Sequence, residues 1–217
     1  MARGRLTYDT AARTEDPMDE MTVVPASEAS WDDLRTVFGE RGDAARCQCQ
    51  WFKILGRDWA SAPVEVRADR LREQTGCDDP GADRTSGLVA YLGGEPVGWC
   101  AVEPRSEYPR LRQARIPWAG RDEDRSDPGV WAVTCFVTRV GFRRRGVSRA
   151  LARAAVDFAR DRGARAVEGY PMIVEPGRDI SWGELFVGSR SVFADAGFTE
   201  VTRPTPRRAV MRIDFAS

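Results

Sequence analysis

A chain of 217 residues is long enough for one well-buried α/β domain and too short for two large ones. Apolar residues make up 42% and charged residues 30%, and the formal net charge is zero, which argues against bulk attraction to nucleic acid or to an anionic membrane. Histidine is absent, which excludes every mechanism built on an imidazole base.

In chain order, residues 1–20 are polar, mixed in charge and aperiodic, and read as a disordered tail. Residues 21–217 read as one domain. Met21 to Ala26 is a first strand. Trp31, Leu34, Val37 and Phe38 then recur at helical spacing, with Ser27 or Ser30 as the cap. The stretch from Cys47 to Gly56 is apolar and aromatic, and reads as helical or irregular. Pro63 to Gly76 is a polar helix with Val66 and Leu71 facing inward. Two β-rich runs flank Gly93-Gly94-Glu95, a hairpin signal. Residues 106–129 form a long polar segment rich in Pro, Gly and Asp, expected to be a functional or mobile loop. Val130 to Thr138 is a strong strand, and an amphipathic helix follows Gly146. Val147, Ala150, Leu151, Ala154, Ala155, Phe158 and Ala159 line one face of that helix, and Gly163 ends it. Arg165 to Val174 is another strand, Ser189 to Phe198 a short helix, and the chain closes with two strands split at Pro204-Thr205-Pro206.

The chemistry concentrates between the strong strand and the amphipathic helix, where Arg143, Arg144 and Arg145 precede Gly146. A helix begins with N–H groups that lack an internal partner and with a partial positive charge. An anion placed there is held by backbone donors, and a glycine lets the backbone approach it closely. Arginine forks add donors suited to phosphate. The unit reads as a diphosphate cradle, though a charged turn entering an ordinary amphipathic helix has the same pattern. It matches neither G-x-x-x-x-G-K-[ST] nor G-x-G-x-x-G.

Strand, [Q/R]-x-x-G-x-[G/A], then amphipathic helix resembles the signature of the GNAT N-acetyltransferase superfamily. Here it is Arg143-Arg144-Arg145-Gly146-Val147-Ser148, with serine in the last position. The order of elements over residues 21–215 is similar too, as are "GGEPVGW", "AVEGYPM" and "FADAGF", and "CQCQWF" resembles an actinobacterial-type branch. The resemblance implies a mixed α/β fold, a mostly antiparallel sheet of about six to seven strands flanked by helices. The fourth and fifth strands splay around acyl-coenzyme A. It implies that Phe136, Val137 and Thr138 offer backbone groups to the pantetheine arm. The turn from Arg143 through Arg144, Arg145, Gly146, Val147 and Ser148 to Arg149 would hold the pyrophosphate. The co-substrate would be acetyl-CoA, with no metal.

Transfer to an amine needs a neutral nucleophile, a donor to the oxyanion and a proton for the departing thiolate. Many relatives place a tyrosine four residues before the "GF" glycine as the acid. Here that position is Phe193, which cannot donate a proton and is expected to pack in the core or against the cofactor. Tyr170 is the substitute, with Ser191 and Cys135 as weaker options. Glu103 and Glu168 are candidate bases, each also readable as an ordinary ion-paired carboxylate. Glu168 and Tyr170 share a strand face and form a plausible pair. Trp51, Trp59, Trp118, Trp131 and Trp182 either fill the core or line the acceptor pocket, with Trp118 the favoured pocket or lid residue.

The expected partners are acetyl-CoA and an amine-bearing acceptor, in a cytoplasmic monomer or homodimer with no nucleic acid and no membrane. No apolar run nears the roughly 18 residues of a bilayer span, and the N-terminus lacks an apolar signal core. The alternatives are a catalytically weak CoA-binding regulatory module and, last, nucleic-acid binding through Arg143 to Arg145 with Arg207 and Arg208. Cys47-x-Cys49 is a poor zinc spacing, and five cysteines make a disulfide framework unexpected.

Overall fold

The computed structural model describes residues 20–174 and 183–216. All but the last residue of the tail read over 1–20 lies outside the described residues, as does Trp182. Seven strands form one sheet: β1 (Met21–Pro25), β2 (Gly87–Leu92), β3 (Glu95–Pro104), β4 (Val130–Thr138), β5 (Ala166–Gly169), β6 (Thr199–Thr205) and β7 (Arg208–Asp214). Their order is β1-β2-β3-β4-β5-β7-β6, and every pairing is antiparallel except β4 with β5. The helices are α1 (Trp31–Phe38), α2 (Gly42–Cys47), α3 (Val64–Thr75), α4 (Pro109–Gln113), α5 (Val147–Asp161) and α6 (Arg190–Asp195). The expected fold class is the one observed.

Strand periodicity sorts the core into two layers. Leu88, Ala90, Cys100, Val102, Val133 and Phe136 face α5. Val89, Trp99, Ala101 and Val137 point the opposite way, towards α1 and Leu71 of α3. The β2–β3 hairpin turns through Gly93 (φ 57°) and Gly94 (φ 80°), the paired left-handed residues that a two-residue hairpin loop needs. Ser30, rather than Ser27, caps α1: its hydroxyl accepts from the Asp33 amide at 3.0 Å, and Asp33 returns the bond to the Ser30 amide.

Two sequence expectations are corrected. Val66 is 39% exposed whereas Leu71 is 1% exposed. Five residues at 100° each set the two roughly 140° apart around the helix, so both cannot face the core. Residues 106–129 are ordered into α4 and short 3-10 turns, and Tyr108, Leu111 and Trp118 are buried. Trp118 donates its indole N–H to the Leu111 carbonyl at 3.0 Å, so it is a packing residue and not a lid.

β5 ends at Gly169, against which the Phe193 ring packs so tightly that a Cβ would sit 2.0 Å from a ring carbon. Gly169→Ala is therefore expected to cost about 3 kcal/mol of stability by overpacking. A calorimetric unfolding temperature equal to that of the parent chain would contradict this.

Candidate active site

A bulge opens the sheet at the site. Along the β3–β4 ladder Ala101 opposes Cys135 and Val102 opposes Val133, leaving Thr134 as the extra residue in β4. The β4–β5 pairing ends at the same level, with Val133 opposite Gly169. Pro171, which has no N–H to give a ladder, follows two residues later. Residues 134–138 of β4 thus have an edge that β5 does not cover. The bulge also re-aims side chains. Thr134, Cys135 and Val137 face a cavity of about 600 Å³ on the α1–α2 side. Phe136 and Thr138 face another of about 410 Å³ on the α5 side. Phe186 lies on the wall of both.

The α5-side cavity runs along β4 to the start of α5, where Arg143, Arg144, Gly146, Val147, Ser148 and Arg149 line it. Gly146 sits in the left-handed region (φ 83°) as the N-cap, and no side chain caps the helix. No acidic residue occupies the first turn either. The contrast with α1 is direct: the short helix carries a full capping box, while in the 15-residue helix the Arg149 amide donates to the Gly146 carbonyl at 2.9 Å and the Val147 and Ser148 amides have no side-chain acceptor among the described residues. Nothing lies within 4 Å of where a Gly146 Cβ would be, so the approach is open. Thr138 Oγ1 and Ser148 Oγ, 3.4 Å apart, link the strand end to the helix start. Arg149 pairs with Asp195 at 2.5 Å, and Arg145 lies over the half-buried Phe142 ring and is not on the cavity wall.

The residues assigned to catalysis from sequence are placed elsewhere. Glu168 and Tyr170 are together, with the Tyr170 hydroxyl donating to Glu168 Oε2 at 3.0 Å, but both are fully buried and line neither cavity. Glu168 accepts from Arg212 at 2.7 Å, from Arg105 at 3.4 Å and from Arg121, a guanidinium cage that makes it structural. Burial, then the Glu168 charge, pushes the Tyr170 phenol well above its ordinary range. Glu103 is ion-paired with Lys53, also outside both cavities, and burial raises its carboxyl against the pull of the ammonium. Phe193 is buried behind the cavity wall, edge-on to Phe136 (5.7 Å) and Phe198 (5.0 Å). The two side chains ranked lower from sequence are the ones on the walls: Ser191 in the α5-side cavity and Cys135 in the other.

Among the tryptophans, Trp51 and Trp59 line the larger cavity, and Trp118 and Trp131 line neither. The sequence marks Cys47-x-Cys49 only as a poor zinc spacing. The structure puts both on the larger cavity with Cys135. Gln48 (φ 48°) and Cys49 (φ 55°) are consecutive non-glycine residues in the left-handed region, a strain that points the Cys49 thiol inward. Cys49 Sγ accepts from the Trp99 indole at 3.2 Å. The Cys135 thiol, then that indole and the Lys53 ammonium, hold Cys49 below the usual thiol range despite burial. Cys135 is raised in turn by its bond to Cys49 and by burial. Cys100, buried away from the cavity, is also raised by its burial. Iodoacetamide is therefore expected to alkylate Cys49 at least ~10-fold faster than Cys100. Peptide mapping by mass spectrometry checks this, and equal rates would contradict it.

The model of the acetyltransferase (GNAT) family matches residues 50–170. Among solved structures, one described as an acetyltransferase is 17% identical, covering 89% of this chain and 98% of its own, with a TM-score of 0.50. The PaiA N-acetyltransferase of Thermoplasma acidophilum, solved with coenzyme A, is 13% identical over 90% of this chain and 99% of its own, with a TM-score of 0.46. The GNAT domain of PAT from S. lividans is 20% identical over 89% of each chain, with a TM-score of 0.45. No curated protein matches the sequence. At such identities the structures speak to fold alone, and the match of the family model across more than half of the residues, including the strand, the arginine–glycine turn and the helix, places this chain in the GNAT acetyltransferase family.

Proposed function

We propose that the protein transfers an acetyl group from acetyl-CoA to a primary amine of a small molecule or peptide, directly and within a ternary complex. Residues 21–217 act as one domain in this reading. The observation that carries it is the edge of β4 beyond the end of β5, with one cavity on each face and an uncapped helix start at the end of one of them. The diphosphate needs several N–H donors and a positive field, and the Val147 and Ser148 amides with Arg143 and Arg144 supply both. Pantetheine then lies along Phe136 to Thr138, which brings the thioester to the bulge. The acceptor enters from the larger cavity.

The amine nitrogen forms a bond to the thioester carbon, and the carbonyl oxygen takes the negative charge. Backbone N–H groups on the uncovered β4 edge are the donors available to that oxygen. The C–S bond then breaks, and the sulfur leaves as a thiolate that takes a proton. Ser191 is on the coenzyme side for that protonation, and the Cys49–Cys135 pair is on the acceptor side to take the proton the amine loses. Holding both substrates against one strand supplies much of the acceleration.

Release of free coenzyme thiol across a panel of primary amines tests the reading. Turnover that saturates in both substrates, with acetyl-CoA bound at micromolar affinity by calorimetry, is the expected result. Tight binding of acetyl-CoA without turnover on any amine would favour a CoA-binding regulatory module, in keeping with a phenylalanine at position 193.

A further inference from the structure

Among the described residues, the larger cavity holds more positive charge than its own acids balance. Asp43, Glu184, Arg46, Arg67 and Arg208 lie on its wall. Asp43 is paired with Arg46 at 2.5 Å, and Glu184 with Arg207, which lies outside the wall, at 2.9 Å. That leaves Arg67 and Arg208, neither of which has a carboxylate within ion-pair distance among the described residues. Arg208 donates one Nη to the Tyr170 carbonyl at 2.9 Å, and its Nε is buried with no acceptor. Arg67 donates to the carbonyls of Arg46 (2.7 Å) and Trp59 (3.0 Å) and stacks 3.7 Å over the Trp59 ring, and its Nε is likewise buried without an acceptor. Burial lowers the Arg208 pKa, against the opposing pull of the Glu184 charge.

A buried guanidinium N–H with nothing to bond to is costly, and a planar carboxylate is the group whose geometry matches it. Arg208 opens β7 beside Met172, across the mouth left by β5 from Thr134 and Cys135, and all three face the same cavity. Arg208 and the bulge thus share one cavity, which a molecule carrying both a carboxylate and an amine can bridge. Phe38, Trp51 and Phe52 give the same wall an aromatic patch.

Building on the acetyl-transfer reading, we infer that the acceptor is an α-amino acid with an apolar side chain, whose carboxylate is bound by Arg208, with Arg67 adding positive charge. The side chain lies against the aromatic wall and the α-amine points to the bulge. The product is then an N-acetylamino acid.

The test is a calorimetric titration of N-acetylphenylalanine and of its carboxamide into the protein, with and without saturating CoA. The acid is expected to bind at least ~10-fold more tightly than the amide, as a charge-assisted pair does over a neutral one. Arg208→Leu and Arg208→Gln, each checked for folding by its thermal transition, are expected to bring the two ligands within about twofold while leaving CoA affinity unchanged. Equal binding of acid and amide, binding of neither, or a preference that survives in both variants would overturn the inference. The arm without CoA reads the carboxylate preference independently of acetyl transfer. If simple amines release thiol faster than phenylalanine does, the transfer reading stands and this inference falls.

Discussion

Replacing Gly146 by aspartate is expected to weaken acetyl-CoA binding by at least ~100-fold, because a carboxylate placed about 4 Å from a phosphate charge costs several kcal/mol at the effective dielectric of a protein surface. The Cβ points into open space at the uncapped start of α5, where the cavity runs, so the carboxylate would stand where the phosphate does. Gly146→Ala separates charge from conformation. Any side chain at φ 83° is strained, by about 1–2 kcal/mol for an ordinary residue. That is expected to lower the unfolding temperature by roughly 2–8 °C. Calorimetric titration of acetyl-CoA into both variants reads the difference. An aspartate variant that binds like the alanine variant would count against the cradle.

Glu168→Gln is expected to cost about 3–5 kcal/mol of stability, since it removes the shared anion from three guanidiniums that the fold has already desolvated. Arg105 is 1% exposed and Glu168 not at all, and the remaining acid, Glu123, sits at the rim beside all three arginines. The unfolding temperature is expected to fall by roughly 6–20 °C, measured by scanning calorimetry. At a temperature where the variant is folded, thiol release per molecule is expected to stay within about threefold of the parent. A general base would behave in the opposite way, losing ~10²–10⁴-fold in rate with little change in stability.

These two positions show what could be read in the residues and what could not. The strand, arginine–glycine turn and helix are local in sequence, so these elements were legible: the apolar stripe of a 15-residue helix and a glycine before it need no distant partner to be recognised. The burial of Ala152 and Val156 was not, because α5 packs on the sheet and also on α6, so its buried arc is wider than one stripe. The alternation that put Glu168 and Tyr170 on one face was sound, but their environment is set by arginines 44 to 63 residues away. No local pattern says whether a strand carboxylate meets a cavity or a cage. The segment 106–129 misled for the same reason: Tyr108 and Leu111 pack on Ala132, Tyr170 and Val210, contacts that exist only once the sheet is assembled. The bulge at Thr134 was invisible too, since an unbroken β-rich run from Val130 to Thr138 reads the same with or without an extra residue. Its effect is to turn Thr134 and Cys135 to the same cavity.

The most direct measurement is a crystal structure of the protein grown with acetyl-CoA. The diphosphate should accept hydrogen bonds from main-chain amides between Arg144 and Arg149, with the pantetheine running along Phe136 to Thr138. A coenzyme found in the larger cavity, or anywhere that leaves the start of α5 untouched, would contradict the account.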